Sequence, residues 1–63
     1  MFHYIITYKH DGRTITRQFQ RKKSAIKYYI ELLETPPDTN ISELAILENN
    51  QDITVSINKF LFN

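Results

Sequence analysis

The 63-residue chain has no cysteine, no tryptophan, one glycine and two prolines. Without cysteine, neither a disulfide nor a thiolate metal site can staple so small a domain. The lone Gly12 rules out a Gly-rich phosphate-cradling loop. So few chain breakers imply that most of the chain is regular structure. No apolar run approaches the roughly 20 residues that span a bilayer. The opening Met1-Phe2-His3-Tyr4 lacks the basic region and apolar stretch of a secretion signal. A cytoplasmic location is the expectation, and the absence of cysteine permits it.

What remains is adequate for folding. Apolar residues make up 41% of the chain, with four Tyr and four Phe among them, which argues against disorder. The length allows one domain, expected to bury only about 60% of its unfolded surface. The net charge of +1 conceals an asymmetry. Residues 1–34 carry seven Lys/Arg against three Asp/Glu, and residues 35–63 carry one Lys against four Asp/Glu. The halves therefore stand at +4 and −3. They either attract each other or equip the basic half for a partner.

Residues 2–8 alternate, with Phe2, Tyr4, Ile6 and Tyr8 on one face and His3, Ile5 and Thr7 on the other. This is the period of a half-buried strand. Asp11-Gly12 is a strong hairpin signal, and residues 13–20 alternate again. A two-residue loop pairs His10 with Arg13, Tyr8 with Ile15, Ile6 with Arg17 and Tyr4 with Phe19, so the apolar faces coincide. A one-residue slip would set that face against Thr16 and Gln18.

From about residue 22 the period changes to that of a helix. Ile26, Tyr29, Ile30 and Leu33 form an apolar stripe, which Ala25, Tyr28 and Leu32 widen beyond what one packing face needs. The polar strip is Lys23, Ser24, Lys27, Glu31 and Glu34. Pro36-Pro37 ends the helix, expected over 22–34, and opens a loop over 35–40. The charges run against the helix dipole: Arg21-Lys22-Lys23 at the positive N-terminus, Glu31 and Glu34 at the other end.

Asn40 with Glu43 resembles a capping box, which would open a second helix. The alternation of Leu44 and Ile46 with Glu43, Ala45 and Leu47 argues instead for a strand, the reading adopted over 41–48. The turn-like Asn49-Asn50-Gln51-Asp52 leads to the alternating Ile53-Thr54-Val55-Ser56-Ile57. A hairpin over 41–58 pairs Leu44 with Ile57 and Ile46 with Val55. The aromatic tail 59–63 then falls out of phase, with Phe60 and Phe62 opposite to Val55 and Ile57. The expected fold is a two-layer α+β domain in the order strand-strand-helix-strand-strand, one antiparallel-rich four-stranded sheet with one helix on its apolar face. The other face would carry His3, Thr7, Thr14, Thr16, Gln18, Thr54, Ser56 and Asn58 to water.

Signals for catalysis are weak. His3 and His10 lie on opposite faces about seven residues apart, so they share neither a metal nor an acid–base pair. Ser24 has no histidine to activate it, and Glu31 and Glu34 sit beside lysines as a solvated strip. No catalytic, cofactor or metal residue is assigned, and the chain is not expected to be an enzyme. Two binding features stand out. Arg13, Arg17, Arg21, Lys22, Lys23 and Lys27 form a basic ridge suited to an acidic protein surface or to phosphates. If not that, these cations guard a sheet edge against aggregation. Tyr28, Leu32, Phe60 and Phe62 form a second apolar set, which either completes the core or serves an interface, a homodimer included.

In length and element order the chain is similar to small phage-encoded inhibitors and small accessory subunits of bacterial machines, which cover a surface on a larger assembly. The expectation is a non-catalytic protein-binding module for an acidic surface. The alternative is a nucleic-acid-binding accessory protein using the basic ridge 13–27. The aromatics Phe2, Tyr4, Tyr8 and Phe19 point to the helix side, so a stacking platform for bases is not expected.

Overall fold

The computed structural model describes residues 3–62. Phe2 and Asn63 of the expected first strand and tail lie outside the described residues. Strands β1 (Tyr4–His10) and β2 (Arg13–Phe19) form the first hairpin, followed by helix α1 (Lys22–Leu33). Strand β3 (Ile41–Glu48), a two-residue strand β4 (Gln51–Asp52) and helix α2 (Thr54–Phe62) complete the chain. The four strands make one sheet in the order β2-β1-β3-β4, every neighbouring pair antiparallel. The α+β class and the four-stranded sheet are those the patterning implies.

The first hairpin has the expected register: Tyr4 opposite Phe19, Ile6 opposite Arg17, Tyr8 opposite Ile15, His10 opposite Arg13. Asp11 (φ 52°) and Gly12 (φ 81°) both adopt positive φ, as a type I′ turn requires to match the strand twist. Arg17 is tolerated opposite Ile6 because β2 is an edge strand, leaving its guanidinium a path to water.

Residues 41–48 are a strand, and its pairing with β1 carries a bulge. Thr7 faces Ala45 and Lys9 faces Ser42, so Tyr8 alone stands against both Glu43 and Leu44. Glu43 takes φ 53° to make it, the left-handed conformation that marks one bulge family. The extra residue restores phase: Ile41, Leu44 and Ile46 all reach the helix side, although strict alternation would turn Ile41 away.

The last third of the chain corrects the expectation. Residues 53–57 do not form a long fourth strand, and the 41–58 hairpin stops after two residue pairs, Glu48–Gln51 and Leu47–Asp52. The turn is Asn49-Asn50 alone, at φ 50° and 67°, two residues rather than four. The chain then turns into α2. The Thr54 amide donates to Asp52 Oδ1 (2.8 Å), and the Ile57 amide donates to the Ile53 carbonyl (2.9 Å) as the first helical bond. Thr54 Oγ1 accepts from the Ile46 amide at 2.9 Å, tying the new helix to β3. Ile53, Ile57 and Leu61 fall at i, i+4 and i+8, a helical stripe that the short run of alternation masks. Thr54, Ser56 and Asn58 therefore lie on α2 instead of the water-facing side of a strand.

Both helices cover one face of the sheet. The core consists of Tyr4, Ile6, Tyr8, Ala25, Tyr29, Ile46 and Ile57, drawn from β1, α1, β3 and α2. At its centre Tyr29, 1% exposed, reaches across from α1 and donates its hydroxyl to Asn58 Oδ1 of α2 at 2.7 Å. The broad apolar arc of α1 thus has two neighbours to serve, the sheet and α2. Helix α1 ends at Glu34, where the Thr35 hydroxyl donates to the Leu32 carbonyl (2.7 Å) before Pro36. A single 3₁₀ turn at Pro37–Thr39 closes on Asn40 (φ 62°), whose Nδ2 donates to Asp11 Oδ1 at 3.1 Å.

Candidate functional site

The two apolar features expected of one cluster separate in the structure. Tyr28 and Leu32 pack against the buried core. Tyr28 stacks at a tilt on Phe19, centroids 5.5 Å apart, and its hydroxyl meets that of Tyr8 at 2.9 Å. Leu32 lies by Pro36, Pro37, Ile41 and Leu44. Phe60 and Phe62 are on α2, 76% and 70% exposed, and do not fold over that flank. Val55 on the same helix is 69% exposed, and Leu33 at the end of α1 is 40% exposed. The surface apolar set is therefore Leu33, Val55, Phe60 and Phe62, two of them members of the expected set and two not.

The reason is the helical phase of α2. Ile53, Ile57 and Leu61 face inward, which sends Phe60 to one flank and Phe62, with Val55, to the other. Each flank is concave. On the Phe60 side, Lys22, Lys23 and Ile26 of α1, Ile53, Ser56 and Ile57, and Glu48 of β3 line a groove of about 700 Å³. On the opposite flank a shallower hollow of about 490 Å³ is lined by Leu33, Val55, Asn58, Lys59 and Phe62.

The six cations of the expected ridge are all exposed, and they stand on three parts of the fold. Arg13 and Arg17 stand on the free β2 edge. Arg21 precedes α1, and its side chain makes no capping bond to the helix. Lys22 and Lys23 turn to the groove beside α2. Lys27 stays on the outer strip of α1. The two ion pairs among the described residues, Lys9 Nζ–Glu43 Oε2 at 3.1 Å and His10 Nε2–Asp11 Oδ2 at 3.6 Å, use none of the six. The first turn of α1 holds no acidic residue and its last turn no basic one, so the charge reversal persists in the folded chain. It lowers helix stability slightly.

The groove's electrostatics are graded. Glu48 at its base accepts the Tyr4 hydroxyl at 2.6 Å, and this bond to a carboxylate pushes the Tyr4 phenol above its ordinary range. Tyr8 is raised in the same direction by its bond to Tyr28, and Tyr29 by burial. Hydrogen bonding by Thr54 holds the Asp52 carboxyl below the usual range. All these groups secure the fold and none is poised as an acid or base near neutrality. His3 Nδ1 lies 3.1 Å from Asn49 Oδ1 beside the second turn, far along β1 from His10. Among the described residues no cluster of three metal-ligating side chains forms, and no helix is long and apolar enough to cross a membrane.

Among the described residues no element covers the second sheet face, opposite the helices. It presents Ile5, Thr7 and Lys9 of β1, Thr14, Thr16 and Gln18 of β2, and Ser42, Ala45 and Leu47 of β3. No tyrosine or phenylalanine is among these residues. No family model, curated protein or solved structure matches the chain.

Proposed function

We propose that the chain is a small non-catalytic protein-binding module, an inhibitor or accessory subunit that docks on an acidic surface of a larger assembly. The observation that carries this reading is the outer surface of α2. Two phenylalanines and a valine stand exposed there, Phe60 beside a groove edged by Lys22 and Lys23, and Val55 and Phe62 beside Lys59 on the opposite flank. Large apolar side chains gathered on the surface of so small a domain mark an interface. An exposed aromatic anchor with two lysines beside it suits a partner with an apolar pocket and carboxylates. Nucleic-acid binding has less support, since among the described residues the open sheet face offers no aromatic ring for base stacking.

The test is affinity capture from cells of the natural source with three proteins: wild type, Phe60→Ser/Phe62→Ser, and Lys22→Glu/Lys23→Glu. A partner retained by the wild type and lost from both variants, each with unchanged circular dichroism, supports the reading. Equal retention by all three proteins, or retention of nucleic acid in place of protein, refutes it.

A further inference from the structure

The groove on the Phe60 flank has the form of a receptor for one kind of ligand. Its floor is apolar, from Ile26, Ile53 and Ile57, and Phe60 makes one wall. The Glu48 carboxylate that also lines it is engaged by the Tyr4 hydroxyl, which leaves two lysines against one carboxylate. Lys22 and Lys23 stand along one side, with no carboxylate pairing them among the described ion pairs. The groove runs between two helices, where the element that best fills the space is a third helix with its apolar stripe facing down. Such a helix needs carboxylates beside that stripe to meet the two lysines. A second copy of this chain fits poorly: its exposed apolar helix is α2, which would bring Lys59 towards Lys22 and Lys23. We infer that the groove between α1 and α2 receives an acidic amphipathic helical segment of a partner protein, its apolar residues seated against Phe60 and its carboxylates on Lys22 and Lys23.

This inference rests on the protein-binding reading and narrows it to one flank of one helix. It also gives a reason for the lysines at the start of α1. Lysines in the first turn weaken the helix, yet they sit where a carboxylate-bearing ligand would meet them.

The test uses the full chain, ¹⁵N-labelled, titrated with a synthetic helical peptide of about 14 residues carrying leucines at i, i+3, i+4 and i+7 with flanking glutamates. A second peptide has lysine in place of each glutamate. The acidic peptide is expected to shift the amides of Lys22, Lys23, Ile26, Ile53, Ser56, Ile57 and Phe60, and to bind more weakly as salt rises. Phe60→Ala, at an exposed site that leaves the fold intact, is expected to weaken it about 30-fold, the effect of losing an aromatic anchor. Lys22→Glu/Lys23→Glu is expected to reverse the preference to the basic peptide while raising the melting temperature, because the new charges suit the helix dipole. A merely structural role for the lysines would not join those two outcomes.

Equal binding of both peptides, or no groove shift at millimolar acidic peptide, overturns the inference. Shifts confined to the Phe62 flank or the open sheet face overturn the groove assignment and leave the protein-binding reading standing. Concentration-dependent shifts of the groove amides without peptide, with a dimer in sedimentation, overturn it in favour of a second copy. Equal capture by wild type and both variants from source cells is the separate result that refutes the broader reading.

Discussion

Replacing Ile57 and Val55 one at a time by alanine tests the helical assignment of residues 54–62 directly. As a strand, these residues share one face and would be buried alike. In α2 they part company: Ile57 is 4% exposed and Val55 is 69% exposed. Ile57→Ala removes three buried carbons, worth about 2.4 kcal/mol in transfer free energy. The unfilled cavity raises the total to roughly 3 kcal/mol. A domain of this length has only about 3–9 kcal/mol of stability in all, so the loss is a third of it or more. The melting temperature should fall by roughly 12–24 °C, at about 4–8 °C per kcal/mol for domains of this size. Val55→Ala removes two carbons already in water and substitutes a better helix former, so it should change stability by less than about 0.5 kcal/mol. Urea unfolding followed by circular dichroism measures both. Similar losses for the two variants would refute the helix and restore the strand.

Two further outcomes follow from local chemistry. Glu43→Gly relieves a left-handed residue that costs about 1–2 kcal/mol at the expense of an exposed ion pair to Lys9 worth about 0.2–1 kcal/mol. The variant should be more stable by urea unfolding, and a destabilised variant would show that the bulge is unstrained. Raised phenol pKa values at Tyr4, Tyr8 and Tyr29 mean that folding favours their neutral forms, so this stability is complete below about pH 10 and is lost as pH rises through the folded values. Asp52, depressed, contributes in the opposite sense, above about pH 4, and its share fades as pH falls through the lower folded value. Unfolding free energy should therefore fall on the alkaline side in step with tyrosinate absorbance, less steeply for Tyr29→Phe; a slope unchanged by that substitution would contradict the assignment.

The parts of the fold legible in the sequence are those where local and long-range signals agree. In the first hairpin the Asp-Gly turn and both alternating runs specify one register, and the observed pairs are those. Strand β3 was legible from Leu44 and Ile46, although Ile41 is out of phase and only a bulge at Glu43 reconciles it. In residues 53–57 two periods overlap: Ile53 and Ile57 satisfy both alternation and i, i+4 spacing, and only Val55 tips the balance to strand. The contrary signals were an Asp52-Ile53-Thr54 helix start and the phase break at Phe60. The polar run Asn49-Asn50-Gln51-Asp52 suggests a four-residue turn, yet Asn49 and Asn50 suffice, because two adjacent asparagines tolerate the left-handed conformation that a type I′ turn demands. The candidate site was legible in pieces. Lys22, Lys23 and Phe60 stand out in the sequence separately, but their meeting depends on α2 being a helix.

The early end of β4 is what creates that groove. Had the chain continued as a strand, it would have extended the sheet edge and left α1 alone on the apolar face. The turn at Asp52 and Thr54 instead brings nine residues back over β3, next to α1. A helix of nine residues is too short to hold itself in water, so α2 depends on Ile53, Ile57 and Leu61 and on its capped start. Val55, Phe60 and Phe62 contribute little to that packing. Their intrinsic helix propensity is also lower than that of the alanine, lysine or glutamate that would serve an exposed helix face. Folding therefore accounts for one side of α2 and gives no reason for the apolar residues on the other. The proposed protein-binding reading supplies that reason, and Lys22 and Lys23 in the groove beside Phe60 are why the proposed partner is acidic.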